Sequence, residues 1–531
     1  MLYNKDYIKS LYLVRKTLIV ISICVFLGQV LVAPGTTNII SNLLALAAFV
    51  LSCGVVFNHR NINIGSALSA TVLFLMISAN SLAPMIGTLL EGNPITETLT
   101  VPVEVFAHRL IFALCLIIAH YLSRSASSLY IRYAVSRASK TLHTKIVVPP
   151  VSLWVIGAIG ISSILFKQLH PPEFLIKFLD GFAFLMMAPF LMLLPPYYSK
   201  ALMLKQRVWL ISYYLLQVII AFVFNSRMIM VLPAGVVVAG WLLSLLTGHI
   251  VVSIKTMRTG LIRGIAGLFI IGQFADLSTA ILIERANREN RSAMEQLRGT
   301  VTRFFDKQAI TDYKVESLAL LKGVSAYQEW QENYVRNPFL SRFIQVKFDD
   351  NCFYRIAAFN QSNFETLREF TFDRVMVQLP QPLLDLFSIK IDKKAVGSLS
   401  VGDEIDALYD GSDGGFKTGS IPSHAFALFS WAYPFVLIFI YYLIFSVYHG
   451  FFTPFRVKSM SGRKTPTLAL LLTFTIYVAI SLDGVDVLLG ALVRGIIQLV
   501  LMYAIALWVV KKLKFPAKLN NNAMRPVRQP A

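Results

Sequence analysis

The chain has 531 residues, of which 56% are hydrophobic, a mean hydropathy of +0.63 and a formal net charge of +20. This composition excludes an ordinary soluble domain and predicts an all-α polytopic membrane protein. The basic residues follow membrane orientation, as described below, so the charge gives no reason to expect nucleic-acid binding.

About twelve segments have the roughly 17–25 apolar residues that a helix needs to cross a bilayer. Nine of them precede one long hydrophilic stretch, and three follow it. In chain order the predicted spans are Thr17–Ala33, Ile39–Phe57, Ile64–Leu82, Val105–Leu122, Val151–Phe166, Phe178–Leu194, Val208–Phe224, Met228–Thr247, Leu261–Ile283, Ala425–Val447, Leu468–Leu482 and Val487–Val510. An even number of spans places both termini on the same side of the membrane.

The hydrophilic stretch divides the chain into four parts. We predict transmembrane helices 1–9 in residues 1–283, an extramembrane cap at 284–423, helices 10–12 at 424–510 and a basic tail at 511–531. The cap has 18 basic and 20 acidic residues, whereas the remainder of the chain has 31 and 9. The basic residues outside the cap crowd alternate short connections. This positive-inside pattern predicts that both termini are cytoplasmic and that the cap lies on the outer face.

The cap is predicted to be mostly helical and to pack on the membrane face. Charges and apolar residues recur at helical spacing in three segments, and a short strand and a flexible glycine-rich approach to His424 complete it. The predicted helices are 283–305, 314–330 and 363–379, the strand is 352–359, and the flexible approach is 396–423.

Cysteine and histidine usage gives no sign of a cofactor. Cys352 is the only cysteine in the cap, so the cap cannot form an internal disulfide. The sequence has no C-x-x-C pair and no cluster of histidine and cysteine. We therefore predict no metal site and no cofactor.

Two arginines near the membrane have both a structural and a functional interpretation. Arg227 lies in the short hairpin Asn225-Ser226-Arg227, where it is either a membrane anchor or a clamp for a phosphate group. Arg494 lies inside the last span, where an unpaired charge is costly. It must pair or face water, and Asp276 in the ninth span is a plausible partner.

Four further residues complete the candidate site. His424 ends the cap and opens the tenth span, so it is either a polar helix cap or a base that titrates near neutral pH. Arg336 and Arg342 lie in the cap, where surface arginines are normally only solvated. Arg109 opens the fourth span next to His108, and it too is either a solvated surface arginine or a member of the site.

Twelve spans, cytoplasmic ends and one large outer loop between spans nine and ten resemble the O-antigen polymerase and ligase superfamily of bacterial envelope proteins. The Ser226-Arg227 start of the eighth span is similar to the opening seen in many members, and the His424 segment resembles the start of the helix after their large loop. The match departs from the family after the histidine, where Ala425 stands in place of the usual asparagine and no glycine follows until Gly450.

The resemblance implies a metal-independent glycosyltransferase of the bacterial inner membrane. Such an enzyme polymerises repeat units of a surface polysaccharide from an undecaprenyl-diphosphate carrier at the periplasmic face. Its partners would be the lipid-linked glycan, membrane lipids, and the chain-length regulator and flippase of the same pathway.

The resemblance also assigns roles to the candidate residues. Arg227 would hold the diphosphate, Arg336 or Arg342 would contribute from the cap, and Arg494 would be a supporting charge for the developing negative charge. Arg109 would join the substrate-binding set. A base must take the proton of the acceptor hydroxyl, and either His424 or a nearby carboxylate suits this task.

A transporter or flippase for a lipid-linked or anionic solute is the main alternative. It would use the same arginines to bind phosphate, but it should show sequence repeats and broken helices at matching positions in two halves. The sequence shows neither feature. A membrane-anchored assembly protein whose cap binds a partner is a further possibility that the sequence leaves open.

Overall fold

The computed structural model describes residues 5–58, 64–169, 171–224, 227–285, 293–322, 330–341, 344–379, 381–411, 414–415, 417–452, 465–481 and 483–513. Every regular element in these residues is a helix, and no strand occurs among them. Together with the long apolar helices described next, this confirms the predicted all-α membrane class.

Eight helices in the described part of the chain are long and apolar enough to cross a membrane. They are Lys5–Val32, Thr36–Val56, Ala67–Leu90, Pro102–Leu122, Leu204–Val223, Ile229–Leu246, Ile421–Phe451 and Val485–Lys512. Three shorter apolar helices coincide with further predicted spans, namely Pro150–Phe166, Phe178–Leu193 and Thr467–Ser481. The remaining predicted span, Leu261–Ile283, lies within a helix that covers Ile254–Arg285.

The first part of the chain contains eleven α-helices. These are α1 (Lys5–Val32), α2 (Thr36–Val56), α3 (Ala67–Asn80), α4 (Leu82–Leu90), α5 (Pro102–Leu122), α6 (Leu129–Thr141), α7 (Pro150–Phe166), α8 (Glu173–Asp180), α9 (Lys200–Val223), α10 (Arg227–Leu246) and α11 (Ile254–Arg285). Short 3₁₀ segments cover Ile64–Ser66, Ala126–Ser128, Lys167–Leu169 and Ala183–Leu193.

The 3₁₀ segment Ala183–Leu193 is irregular backbone inside the apolar body, and its neighbours satisfy it. Gly160 of α7 lets the two backbones touch, since a Cβ atom there would lie 2.2 Å from the Met186 nitrogen. The Met186 carbonyl accepts hydrogen bonds from the Tyr213 hydroxyl (2.9 Å) and the Gln217 amide (3.0 Å). Non-helical backbone is tolerated at membrane depth when protein covers it in this way.

The cap and the last spans contain the remaining helices. These are α12 (Ala293–Phe305), α13 (Lys307–Lys322), α14 (Pro338–Ser341), α15 (Val346–Ile356), α16 (Gln361–Val377), α17 (Gln381–Leu386), α18 (Lys393–Ser398), α19 (Val401–Asp410), α20 (Ile421–Phe429), α21 (Tyr433–Phe452), α22 (Thr467–Ser481), α23 (Val485–Gly490) and α24 (Ile496–Lys512). A 3₁₀ turn at Ser430–Ala432 joins α20 to α21, and a π-helical turn at Ala491–Gly495 joins α23 to α24.

The predicted cap helices are confirmed where the structure describes them. Helix α16 matches the predicted helix 363–379 closely. The Asn360 side chain accepts a hydrogen bond from the Asn363 amide and so caps the start of the helix. Helix α12 covers the end of the predicted helix 283–305, and α13 begins before the predicted helix 314–330. Residues 286–292 and 323–329 lie outside the described part.

Two predictions for the cap are wrong. The segment predicted as a strand, 352–359, belongs largely to α15, which is buried on nearly all sides by α5, α19 and α20. The predicted strand began at Cys352 and so took in only the second half of a helix that begins at Val346. The flexible approach 396–423 contains α19, since Ser400 and Asp403 form a capping box and Gly411 ends the helix at φ 79°.

The tenth predicted span is interrupted, and the twelfth contains a π-helical turn. Ser430 (φ 45°) separates α20 from α21, so His424 stands on a short helix of its own before the span. Helix α21 has 20 residues, about 30 Å, and is long enough to cross the bilayer by itself. The π-helical turn places Arg494 between α23 and α24.

Asp349 and Asp350 on α15 attach the cap to the membrane body. Asp349 is fully buried and forms an ion pair with Arg109 of α5, and it also accepts a hydrogen bond from Ser420. Burial raises the pKa of the Asp349 carboxyl. Asp350 accepts the backbone amides of Thr100 (2.7 Å) and Val101 (2.8 Å), just before α5. The cap is therefore packed into the body rather than tethered to it.

Replacing Asp349 by alanine should leave the Arg109 charge buried without its partner. We expect a destabilisation of about 3–5 kcal/mol, because a buried pair that loses one member retains an uncompensated charge. Thermal unfolding of the purified protein in detergent measures it. Asp385→Ala, which removes an exposed carboxylate of the same cap, is the control. An Asp349→Ala protein as stable as this control would contradict the proposed attachment.

Candidate functional site

Helix α16 runs down from the cap alongside the start of the last span. The Arg374 Nε atom donates to Asp486 Oδ2 at 2.7 Å. One turn further on, Gln378 packs against Gly490, since a Cβ atom at Gly490 would lie 3.3 Å from the Gln378 side chain. Residues 374 and 378 of α16 thus lie beside residues 486 and 490 of α23, so the two helices run parallel. The C-terminal end of α16 points into the membrane body.

His424 is fully buried and both of its ring nitrogens are engaged. Its Nδ1 atom accepts the Val485 backbone N–H at 3.1 Å, and its Nε2 atom is 2.9 Å from the Thr371 hydroxyl. Because Nδ1 accepts, the neutral ring has its proton on Nε2 and donates it to Thr371. The Thr371 hydroxyl in turn donates to the Leu367 carbonyl at 2.6 Å. His424 therefore joins α16, α20 and α23.

Two aspartates share the single guanidinium of Arg374. Besides its bond to Asp486, Arg374 has its NH2 atom 3.6 Å from Asp483 Oδ2, and it donates to the Leu399 carbonyl. Asp486 Oδ1 is buried, has no hydrogen-bond partner in the described part of the chain, and lies 4.0 Å from His424 Nδ1. We call Thr371, Arg374, His424, Asp483 and Asp486 the junction cluster.

Asp483 is the member of the junction cluster that is suited to exchange protons. Its side chain is 21% exposed, whereas His424 and Asp486 are buried. Burial, and then the negative charge of Asp486, raise the pKa of the Asp483 carboxyl to about 6. Its backbone adopts a left-handed conformation with φ 73°, which non-glycine residues rarely adopt outside turns and functional sites.

Gly484 lies between the two aspartates and leaves no space for a side chain. A Cβ atom there would lie 2.4 Å from His424 Nδ1 and 2.5 Å from Asp486 Oδ1. Glycine at this position therefore lets the loop before α23 approach the histidine ring closely.

A cavity of about 490 Å³ lies below the junction cluster. Gln378 from the cap, Asp180 at the end of α8, and Arg494 and Gln498 from the last span are polar residues on its wall. Most of the remaining wall is apolar and comes from α22, α23, the π-helical turn and α24, with Ile476, Ile480 and Leu499 among its residues. The cavity thus extends from the cap into the membrane body.

Arg494 is half-buried on the cavity wall. Its Nε atom donates to Gln498 Oε1 at 3.2 Å, and no carboxylate of the described residues lies within 4.0 Å of its guanidinium. Asp180, on the same wall, is paired with Lys167. A π-helical turn often marks a functional site, and here it places the arginine at the cavity. Arg494 has free capacity to bind an anion.

The predicted partner of Arg494 is wrong. Asp276 accepts hydrogen bonds from Lys307 (2.8 Å) and Lys314 (2.5 Å), both on cap helices. This happens because α12 and α13 fold back against α11, which brings α13 lysines to Asp276.

The other predicted site residues are not brought to this cavity by the described contacts. Arg109 is buried in its pair with Asp349. Arg336 is exposed, and its backbone amide donates to Glu91 at 3.1 Å. Arg227 begins α10, but its side chain lies outside the described residues, as does Arg342 altogether. His424 is bonded to Val485 at the start of the last span, and Arg494 lies further along the same span.

Sequence reasoning missed Thr371, Arg374, Asp483 and Asp486 as members of a site. A signal was present for the aspartates, because Asp483-Gly484 is a turn dipeptide and Asp486 follows directly at the start of a span. No comparable signal identified Arg374, which stands among many charged residues of the cap.

No protein-family model, curated protein or solved structure matches this chain.

The raised pKa of Asp483 predicts a pH effect on stability. The folded protein retains the Asp483 proton up to about pH 6, whereas the unfolded chain releases it near 3.8. The stabilisation that comes from this retained proton is on the order of 2–3 kcal/mol. It is complete below about pH 4 and is lost as the pH rises through 6. Asp483→Asn should flatten this part of the stability profile.

Thermal unfolding at a series of pH values between 4 and 7 measures this effect. The matched control is Asp385→Asn, which removes an exposed carboxylate of the cap and should leave the profile as in the wild type. An Asp483→Asn profile that falls as steeply as the wild-type profile would contradict the assignment.

Proposed function

We propose that this protein polymerises lipid-linked oligosaccharide repeat units of a surface polysaccharide at the periplasmic face of a bacterial inner membrane. The observation that carries the proposal is Arg494. It is an arginine without a carboxylate partner in the described part of the chain, on the wall of a cavity that extends from the cap into the membrane body. An undecaprenyl-diphosphate donor needs such a site for its diphosphate.

The cavity suits the diphosphate end of such a donor in size and polarity. At about 490 Å³ it falls within the range of pockets that hold small ligands. Arg494 would bind the diphosphate, and the amides of Gln378 and Gln498 would bind sugar hydroxyls. The apolar wall formed by α22, α23, the π-helical turn and α24 suits the polyprenyl chain.

The proposed reaction is a displacement at the anomeric carbon. The acceptor hydroxyl forms a new C–O bond, the bond to the diphosphate breaks, and the lipid diphosphate leaves with its electron pair. Arg494 stabilises the charge that develops on the leaving group, with Arg227 and a cap arginine, Arg336 or Arg342, as proposed additional donors. A base accepts the proton that the hydroxyl loses.

The base is proposed to be Asp483, the nearby carboxylate that the sequence left as an alternative to His424. Asp483 is partly exposed and its pKa of about 6 is close to the working pH of a general base. His424 has both ring nitrogens bonded and would position the junction cluster. Arg374 holds Asp483 next to Asp486, and Asp486 is eight residues, about 12 Å of helix, from Arg494. This spacing would leave room for a sugar between the base and the diphosphate.

Arg109 acquires a supporting role in this proposal. Its partner Asp349 accepts a hydrogen bond from Ser420, which directly precedes α20. Since α20 carries His424, the buried pair would hold the histidine helix in place and would not contact the substrate.

The proposal includes twelve spans, cytoplasmic termini and a periplasmic cap. Single cysteines test the orientation in a Cys24→Ser background, because Cys24 is exposed and the other cysteines are buried. Ala395→Cys in α18 should react with a membrane-impermeant maleimide in cells with a permeabilised outer membrane, and Ala126→Cys before α6 should not. Both alanines are exposed, so they form a matched pair. Labelling at Ala126 alone would reverse the orientation.

Arg494→Lys keeps the charge but loses the planar fork that binds a diphosphate through two hydrogen bonds. We expect at least a tenfold loss of long-chain polysaccharide, and a similar loss for Arg494→Gln. Gel profiles of surface polysaccharide, at equal protein level, measure the effect. Arg298→Lys, an exposed cap position, is the matched control. Normal chain length with Arg494→Lys would contradict the diphosphate role.

One observation favours transport as a second candidate. The predicted tenth span is interrupted at Ser430, and an interrupted helix near a binding site is typical of secondary transporters. Purified protein in vesicles with a lipid-linked oligosaccharide separates the two. Elongated product supports the polymerase, whereas movement of unchanged lipid between leaflets supports the flippase.

A further inference from the structure

The cap contains a hairpin that points toward the membrane. Its descending arm is α16, which follows α23 in parallel, as the pairs Arg374–Asp486 and Gln378–Gly490 show. The ascending arm is α18 and the residues after it. Lys393 donates to the Leu379 carbonyl at 2.8 Å, and Arg374 donates to the Leu399 carbonyl. We call residues 381–392, between these two arms, the hairpin tip.

The depth of the hairpin follows from its contacts with the last span. Gly490 is five residues after Val485, the start of α23, so it lies about 7–8 Å along the helix. It also falls inside the apolar segment Val487–Val510, whose length matches the bilayer. Gln378 touches Gly490, and the chain has not yet turned back at that point. The hairpin tip therefore lies at the level of the bilayer boundary or deeper.

The hairpin tip presents apolar side chains outward. Leu384 is fully buried and anchors α17 to the cap. The next two apolar residues, Leu386 and Phe387, are 72% and 65% exposed. The chain then turns at Ser388 with φ 56°, and the Ile389 amide donates to the Leu384 carbonyl at 2.9 Å. This turn fixes an adjacent leucine and phenylalanine at the end of the hairpin.

The polar residues around the tip suit a membrane surface. Lys390 is exposed directly after the turn, Asp385 is exposed and bonded to Gln381, and Asp392 is exposed at the end of the tip, where it accepts the Ala395 amide at the start of α18. An apolar pair next to a lysine can enter the acyl boundary while the ammonium group stays among the headgroups. Water contact for two large apolar side chains at this depth would be unfavourable.

We propose that the hairpin tip inserts Leu386 and Phe387 into the bilayer leaflet on the cap side, with lipid as its partner. The tip lies beside the last span, because α16 and α23 descend together. The cap is thus attached to the membrane at a third place, besides Asp349 and the junction cluster. This inference needs only a membrane and is independent of the glycan chemistry.

Site-directed spin labelling tests the proposal on the full chain in liposomes of phosphatidylethanolamine and phosphatidylglycerol. Phe387→Cys and, separately, Leu386→Cys are made in the Cys24→Ser background and labelled. Power saturation then compares collisions with oxygen, which concentrates in lipid, and with a water-soluble nickel chelate. The control is the exposed cap position Ala395→Cys, on the ascending arm.

We expect the oxygen-to-nickel accessibility ratio at 387 and 386 to be several-fold higher than at 395. Equal ratios at all three positions would show that the tip is in water and would overturn the proposal. Low accessibility to both reagents at 386 and 387 would indicate protein contact and would also overturn it. Thermal unfolding of each labelled protein confirms that it is folded, which the high exposure of these side chains leads us to expect.

Discussion

The arrangement of the cap depends on one guanidinium. Arg374 holds Asp486, and with it the start of the last span, against α16. This contact sets the direction of α16, and the direction places Gln378 on the cavity wall and the hairpin tip at the membrane boundary. Because Arg374 is only 15% exposed and Asp486 1%, the pair is little screened by water. Loss of Arg374 would therefore disturb the cavity, the junction cluster and the hairpin together.

The charge balance around Arg374 has a chemical consequence. One guanidinium faces two carboxylates, Asp483 and Asp486, and Asp486 Oδ1 has no hydrogen-bond donor in the described residues. Two carboxylates that share a buried site resist being ionised together, so the pair favours holding one proton. The more exposed Asp483 is the member through which that proton can reach solvent, or the acceptor hydroxyl of the proposed reaction. The neighbouring His424 accepts a backbone amide at Nδ1 and so does not neutralise Asp486 by donating to it.

The sequence predicted the apolar helices well, because a bilayer demands about 20 apolar residues and few other structures supply them. Helical spacing of charged and apolar residues predicted α16, and the structure adds a cap at Asn360 that fixes where the helix begins. The sequence did not predict the break at Ser430 or the π-helical turn, since apolar composition continues through both. The helix α15 was missed because the prediction considered only the segment from Cys352 onward, whereas the helix begins at Val346. Arg374 was missed because the packing of α16 against α23 selects it among the cap arginines, and sequence spacing does not encode that packing.

The contacts also explain why cap and membrane body function as one unit. Asp349 and Asp350 attach α15 to α5, while Arg374 attaches α16 to α23, and α20 lies between these attachments. His424 on α20 is bonded to α16 through Thr371 and to the start of α23 through the Val485 amide. A movement of α20 would therefore change the surroundings of Asp483 and the position of the helix that carries Arg494. In the proposed reaction, proton transfer at the junction cluster and diphosphate binding in the cavity would be coupled through the same short stretch of backbone, 483–494.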